Sequence, residues 1–259
     1  MMDAEKNIIQ EQEMHFIAMA ETLKKKFTSR RINFYACSSV IEAQKTLTSL
    51  VEAFKSNTPP TQVGFSDSVT LHQMNAYDTV GKIPGLSINN PLERNNQGIY
   101  TIFGDQPDGK LNLPKEEYYA LMEKLWQKMR ETLLSDIFII GANAITMNGQ
   151  IVSTDGTGNR VGGMIFGPRK VIIVVGRNKI TRNLEDAIRR NRDIAAPLNY
   201  HRHNIKHHNR FDNPCMKTGY CSDCNSPRRG CLKTVIIDGE MEGYKDRTHL
   251  ILINQDLGL

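Results

Sequence analysis

The sequence predicts an α/β protein built on an open mixed sheet, with a cysteine-rich C-terminal appendage. Three observations carry that prediction. Helical and strand patterns alternate along the chain as far as residue 135. An Asn148-Gly149 pair joins two apolar runs as a hairpin. Four of the five cysteines crowd into Cys215-x5-Cys221-x2-Cys224-x6-Cys231. Alternating helices and strands favour a sheet covered by helices, and the hairpin adds an antiparallel pair.

The elements follow in order. Residues 4–27 place Ile8, Ile9, Phe16, Met19, Ala20, Leu23 and Phe27 on one stripe at helical spacing. A strand follows from Ile32 to Ala36. Ser39-x-x-Glu42 is a capping box for a second helix, with Val40, Leu47, Leu50, Val51 and Phe54 facing inward. Thr58-Pro59-Pro60 ends it, because a Pro pair offers no backbone donors. Gln62 to Phe65 is a strand leading through Ser66-Asp67-Ser68 to a short helix ending near Met74. Residues 81–112 read as a Gly-, Pro- and Asn-rich excursion with one strand from Ile99 to Phe103. Pro114 opens a helix carrying Tyr118, Leu121, Leu125, Met129 and Leu133.

From Asp136 to Gly176 apolar runs alternate with turns: IFIIGANAIT, Asn148-Gly149, QIVST, DGTGNRVGG and KVIIVVG. Asn-Gly predicts a type I′ hairpin, with both residues at positive φ. Lys170 to Val175 predicts a buried strand. A helix follows over 183–195, and Thr234–Ile237 and His249–Ile253 are closing strands. The predicted division is an α/β unit over 1–199, a His/Cys-rich appendage or insertion over 200–232, and strands of the first unit over 233–259.

Composition sets limits. With 39% hydrophobic and 24% charged residues the chain is ordinary for a soluble globular protein. Its start, MMDAEKNIIQEQEMHF, is too charged for a signal peptide, and no run approaches the roughly 18 apolar residues of a membrane helix. A cytoplasmic location is expected, and there disulfides are uncommon. Cys37, alone in INFYAC, predicts a packing residue.

Four places could carry chemistry. GFSDSVTL (64–71) joins a strand to a helix start, where free N–H groups and the hydroxyls of Ser66, Ser68 and Thr70 could hold an anion. The plainer alternative is Ser66 or Asp67 as an N-cap. TDGTGNR (154–160) offers glycines for close approach and Arg160 as a bidentate clamp, or is only a turn. YHRHNIKHHNR (200–210) reads as a basic ligand-facing or solvated surface, with His201 and His203 alternating on a strand; its Lys and Arg would repel a metal ion. The four cysteines suit zinc or an iron–sulfur cluster in number, although only Cys221-x2-Cys224 has a common knuckle spacing. A disulfide pair stays open. Segment 136–181 contains no Glu, Cys or His, so it lacks an obvious acyl-transfer nucleophile.

These motifs together resemble the LUD-domain (lactate utilization) proteins over roughly residues 10–255. The resemblance rests on GFSDSVTL, on DIFIIGANAITMNGQIVSTDGTGNRVGGMIFGPRKVIIVVGRNKIT, and on the tail PCMKTGYCSDCNSPRRGC, which is similar to that of a stand-alone subgroup. It implies a fold of the sugar-phosphate isomerase/CoA-transferase type. It also implies association with L-lactate oxidation, whose partner subunits carry iron–sulfur clusters. The chain departs from that pattern by lacking the long ferredoxin-like region of the larger lactate-utilization subunit and the catalytic Glu of CoA-transferases.

The leading expectation is a protein binding a small anionic ligand. Ser66, Asp67, Ser68, Asn143, Asp155, Asn159, Arg160 and Lys179 would line the cleft, with Thr70 as a further hydroxyl. Asp67 or Asp155 would transfer protons, and Cys215, Cys221, Cys224 and Cys231 would hold iron–sulfur or zinc. The alternatives are a non-catalytic binding module with a structural zinc clip, and a sugar-phosphate isomerase-like enzyme. Iron–sulfur redox partner proteins are expected, nucleic acid and a membrane span are not.

Overall fold

In the computed structural model, which describes residues 8–56, 59–93, 101–103, 114–206 and 211–259, the apolar runs form two sheets. The larger has six strands, in the order β1 (Asn33–Cys37), β10 (Thr248–Ile253), β7 (Lys170–Gly176), β4 (Ile137–Gly141), β2 (Thr61–Phe65) and β3 (Leu86–Asn89). Every neighbouring pair in it is parallel. The smaller runs β8 (Ile180–Thr181), β5 (Ala144–Thr146), β6 (Ile151–Asp155), β9 (Lys233–Ile237). Here β5–β8 is parallel while β5–β6 and β6–β9 are antiparallel. The chain is α/β as expected, and the mixing of strand directions sits in the smaller sheet.

The central strands are apolar throughout because both faces of the larger sheet are covered. On one face Phe138, Ile140, Val171, Ile173, Val175, Leu250 and Leu252 pack against α1 (Ile9–Ser29) and α6 (Asn159–Ile165). On the other, Ile137, Ile139, Ile172, Val174, Ile251 and Ile253 pack against α2 (Val40–Phe54), α3 (Val69–Gln73) and α4 (Ala76–Gly81). Each fully buried Val, Leu or Ile contributes about 1.5–3 kcal/mol of transfer free energy. Cys37, at the end of β1, is one of the buried packing residues, as its surroundings predicted.

Several local expectations need correction. Of the predicted stripe on α1, Phe16, Ala20, Leu23 and Phe27 are buried but Ile8 and Ile9 are exposed, since the helix overhangs the sheet at its start. Ser39 caps α2 as predicted, accepting from Glu42 N at 3.3 Å. Glu42, however, reaches one residue further back, taking Ser38 N and Oγ at 2.7 Å each. The β5–β6 hairpin is present, but only Gly149 of the Asn-Gly pair has positive φ, at 83°. Thr146 O accepts from Gly149 N at 2.9 Å, so the loop Met147-Asn148-Gly149 is a turn followed by a left-handed glycine, a three-residue connection.

Half of the 81–112 excursion lies outside the described residues, including Ile99 and Tyr100 of its predicted strand. The described Thr101–Phe103 form a 3-10 turn, not a strand. The edge strand β3, which the sequence reading missed, precedes them. Pro114 precedes the helix α5 (Lys115–Thr132) as its N-cap.

The largest difference follows β8. Helix α7 (Leu184–Arg190) does not stop near Pro197 but passes through a π turn at Asn191–Ala195 into α8 (Ala196–Lys206). Proline has no N–H to give, and the wider π turn is where the missing bond is absorbed. His201 and His203 therefore lie on a helix, not on a strand. A short helix α9 (Pro214–Thr218) follows, with Gly219 at φ 77° ending it. Among the described residues no helix is long and apolar enough to cross a membrane.

Candidate functional site: a cleft at the strand ends

Because β2, β4 and β7 are adjacent and parallel, their carboxyl ends open on one edge of the sheet. The residues after them are Ser66-Asp67-Ser68, Ala142-Asn143 and, one turn on, Lys179. Ligand clefts in parallel α/β sheets form at this edge. Here a cavity of about 420 Å³ lies between those ends, the smaller sheet, α5 and α8. Asp67, Ser68, Asn143, Asp155, Asn159, Arg160, Lys179 and Cys231, all singled out in the sequence, line it together.

Ser66 and Thr70 do not line it. Ser66 is buried beneath, its carbonyl held by Tyr77 Oη at 2.9 Å, and Ser66 Oγ has no partner among the described residues. The N-cap of α3 is Ser68, whose Oγ accepts from Leu71 N at 3.5 Å, rather than Ser66 or Asp67. A five-residue helix whose first turn is capped this way offers little to an anion.

Released from capping, Asp67 faces α8. Arg202 Nη2 donates to its Oδ2 at 2.6 Å, and His72 Nε2 lies 3.4 Å from Oδ1. The Asp67 and Arg202 side chains are only 10% and 20% exposed, so their attraction is weakly screened. Arg202 Nε is buried with no acceptor among the described residues.

Asp155 is used differently. Its Oδ1 accepts from Gly156 N at 2.8 Å and its Oδ2 from Gly158 N and Arg160 N, both at 3.1 Å. These bonds fold the TDGTGNR loop, with Gly158 at φ 100° as the left-handed residue that admits the turn. Arg160 returns to the same loop, Nη2 donating to Thr154 O at 3.0 Å and Nε lying 3.7 Å from Asp155 Oδ1. Asn143 ties the loop to β4, accepting from Thr154 N at 2.8 Å.

Lys179 is the most unusual group. It is 4% exposed, yet among the described residues Nζ donates only to Thr70 Oγ1 at 2.9 Å and Ala142 O at 3.0 Å. No carboxylate pairs with it among the described residues. Burial, with Arg190 and Arg160 nearby, pulls it from the usual 10.5 to about 7. Desolvation and like charge act in the same direction on an ammonium group.

The cavity also takes Tyr200, Arg202 and His203 from α8, Asn191 from the π turn, and an apolar wall of Tyr118, Met122, Leu125 and Met129 from α5. The 200–210 stretch reads in sequence as a basic ligand-facing or solvated surface, and Arg202 and His203 of it line the cavity. The α5 wall carried no functional signal, since an amphipathic stripe reads as core.

The cysteine segment borders the same cleft. Gly230 N donates to Tyr200 Oη in a short hydrogen bond, and a Cβ on Gly156 would lie 2.9 Å from Gly230 O, so the two loops touch backbone to backbone. Arg229 fastens the segment, reaching Cys224 O at 2.6 Å, Cys231 O at 3.2 Å and Asp223 Oδ1 at 2.9 Å. Cys215, Cys221, Cys224 and Cys231 are all free thiols, with Cys215 buried. Burial first, then the other three thiols, push the Cys215 thiol up. Burial pushes Tyr200 up to about 12, with Cys231, Cys215 and Cys224 adding to it. The four thiols therefore gather within electrostatic reach of one another. Among the described residues, however, no three His, Cys, Asp or Glu side chains stand as a set that could hold a metal ion. Holding one would require the segment to rearrange.

Fold and site together define an α/β protein with a cation-rich cleft at the carboxyl ends of a parallel sheet. A family model described as the LUD domain matches residues 20–253, and the chain belongs to the LUD-domain family, which is linked in general to lactate utilization. Among solved structures, a DUF162 family protein from Deinococcus radiodurans is 10% identical, with a TM-score of 0.39, covering 92% of this chain and 96% of that one. eIF2B beta from Chaetomium thermophilum is 17% identical, with a TM-score of 0.30, covering 57% of this chain and 42% of its own. Scores this low carry no argument about the site. No curated protein was found to match.

Proposed function

We propose that this chain is a lactate-utilization-type protein that binds a small anionic ligand in the strand-end cleft and supports L-lactate oxidation beside iron–sulfur redox partners. The observation that carries the reading is Lys179, a buried amine whose charged form has no carboxylate partner among the described residues, lining a cavity of about 420 Å³. That volume lies in the small-molecule range. Desolvating a cation costs several kcal/mol unless a counter-charge arrives, and an anionic ligand supplies it. Arg160 adds donors, and the buried Arg202 Nε has no acceptor among the described residues. Asp67, between Arg202 and His72, is the proposed proton-transfer group. Asp155, its oxygens taken by three backbone N–H groups, serves the cleft through its loop.

The double variant Asn159→Ala/Arg160→Ala is expected to weaken calorimetric binding of a small anion (L-lactate, pyruvate or inorganic phosphate) by about tenfold or more, the loss of one charge-assisted contact. Unchanged affinity would remove the loop from the site.

The four cysteines carry a separate proposal, that zinc or an iron–sulfur cluster is held by Cys215, Cys221, Cys224 and Cys231 after residues 219–232 close around it. The number and nearness of the thiols support it, and no step in the cleft depends on it. Protein purified without oxygen is expected to carry stoichiometric zinc, or iron with sulfide. Four thiols titrating freely in metal-free protein would refute the assignment.

A further inference from the structure

We propose that Lys179 is a nucleophilic amine that captures the carbonyl group of a small anionic aldehyde or keto acid as an imine. The proposal deepens the anion-binding reading and rests on it. A neutral lysine amine has two N–H bonds and one lone pair. At Lys179 both hydrogens have acceptors, Thr70 Oγ1 at 2.9 Å and Ala142 O at 3.0 Å. Among the described residues nothing else bonds the nitrogen, so the lone pair is left over at a group that lines the cavity. A desolvated lysine beside other cations is the environment in which this side chain becomes a nucleophile at neutral pH. Lys179 has it: 4% exposure, with Arg190 and Arg160 as the cationic neighbours.

The packing explains how the amine is kept in place. A Cβ on Gly258, which has φ 72°, would sit 2.6 Å from Lys179 Nζ, so only glycine lets the chain pass over it. Arg190, which donates to Leu259 O at 3.1 Å through both Nη atoms, holds that passing segment down. The ligand class follows from the chemistry on each side. An amine selects a carbonyl carbon, and the guanidinium donors of Arg160 and Arg202 select a carboxylate or phosphate on the same molecule. In the step, the nitrogen lone pair forms a bond to the carbonyl carbon. The carbonyl oxygen then leaves as water with the two amine hydrogens, giving C=N.

The test uses the full chain and mild hydride reduction. Protein is incubated at pH 7 with cyanoborohydride and either pyruvate, for the carboxylate, or glycolaldehyde phosphate, for the phosphate, and modified lysines are located by peptide mass mapping. Hydride delivered to the imine carbon fixes the adduct. Lys179 is expected to be labelled at least about tenfold faster than Lys245, whose side chain is 61% exposed, because an ordinary lysine with pKa near 10.4 is almost wholly protonated at pH 7. Inorganic phosphate, an anion without a carbonyl, is expected to slow the labelling. Lys179→Arg, which has no primary amine, is expected to give no label at position 179. If neither probe labels Lys179, or labels it only in step with Lys245, the imine proposal is overturned. Phosphate binding that persists in that case leaves the anion-binding reading standing, whereas loss of both removes the two together.

Discussion

Lys179→Met is expected to change the pH dependence of stability by more than any other single substitution in the cleft. The folded protein holds Lys179 at about 7 against a usual 10.5. Between those values the unfolded chain binds the proton and the folded one does not. Stability rises with pH wherever the unfolded state binds more protons. The lysine contribution is thus fully present above the unfolded value and is lost as pH falls through about 7. Relative to the Met variant, the wild type is expected to gain on the order of 4 kcal/mol between pH 7 and pH 10.5. Near pH 7 the two are expected to be similar. The Met variant escapes the cost of a desolvated cation but leaves Thr70 Oγ1 and Ala142 O without their donor, at about 1–3 kcal/mol for a buried acceptor. Urea unfolding of both proteins at the two pH values measures the difference. Parallel stability curves would show that Lys179 is not held neutral by its surroundings.

The second large effect is expected at the bridge between α8 and the β2 end. Arg202→Ala removes the 2.6 Å partner of Asp67 Oδ2, in a place where the Asp67 side chain is 10% exposed. Breaking a fully buried pair from one side costs about 3–5 kcal/mol. With Arg202 itself 20% exposed, water repays part of that, and about 1–3 kcal/mol is expected. Removing both partners, as Asp67→Asn with Arg202→Met, is expected to cost less than the sum of the single changes. Additive losses would mean that the 2.6 Å contact contributes nothing to holding α8 over the cleft.

How far the site was legible depended on how locally each part is encoded. The strand-end residues Asp67, Ser68, Asn143 and Lys179 were legible because each follows an apolar run ending in a turn, and adjacent parallel strands bring such turns together. The fold was legible for the same reason: β4, β7 and β10 are continuous apolar runs of the kind buried on both faces. Helix α8 was not, since Pro197 looked like a stop and nothing local announces that a π turn will carry the helix past it. With α8 misplaced, Arg202 could not be paired with Asp67. Strand β3 escaped because a short, half-exposed edge strand has little apolar pattern. The role of Asp155 was hidden because the same Asp-Gly-x-Gly turn can present a carboxylate or consume it, and here three backbone N–H groups consume it. The cysteine spacing told how many thiols there are and how near in sequence, but their arrangement depends on Arg229 and Tyr200, which hold the segment by backbone contacts that no spacing encodes.

The central claim is that the cleft holds an anion against Lys179. Its most direct test is a calorimetric titration of the wild type and of Lys179→Met with L-lactate, pyruvate and inorganic phosphate at pH 7. Saturable binding of at least one of them by the wild type, weakened about tenfold or more in the Met variant, is the predicted result. No binding of any of the three, or equal affinity in the two proteins, would contradict it.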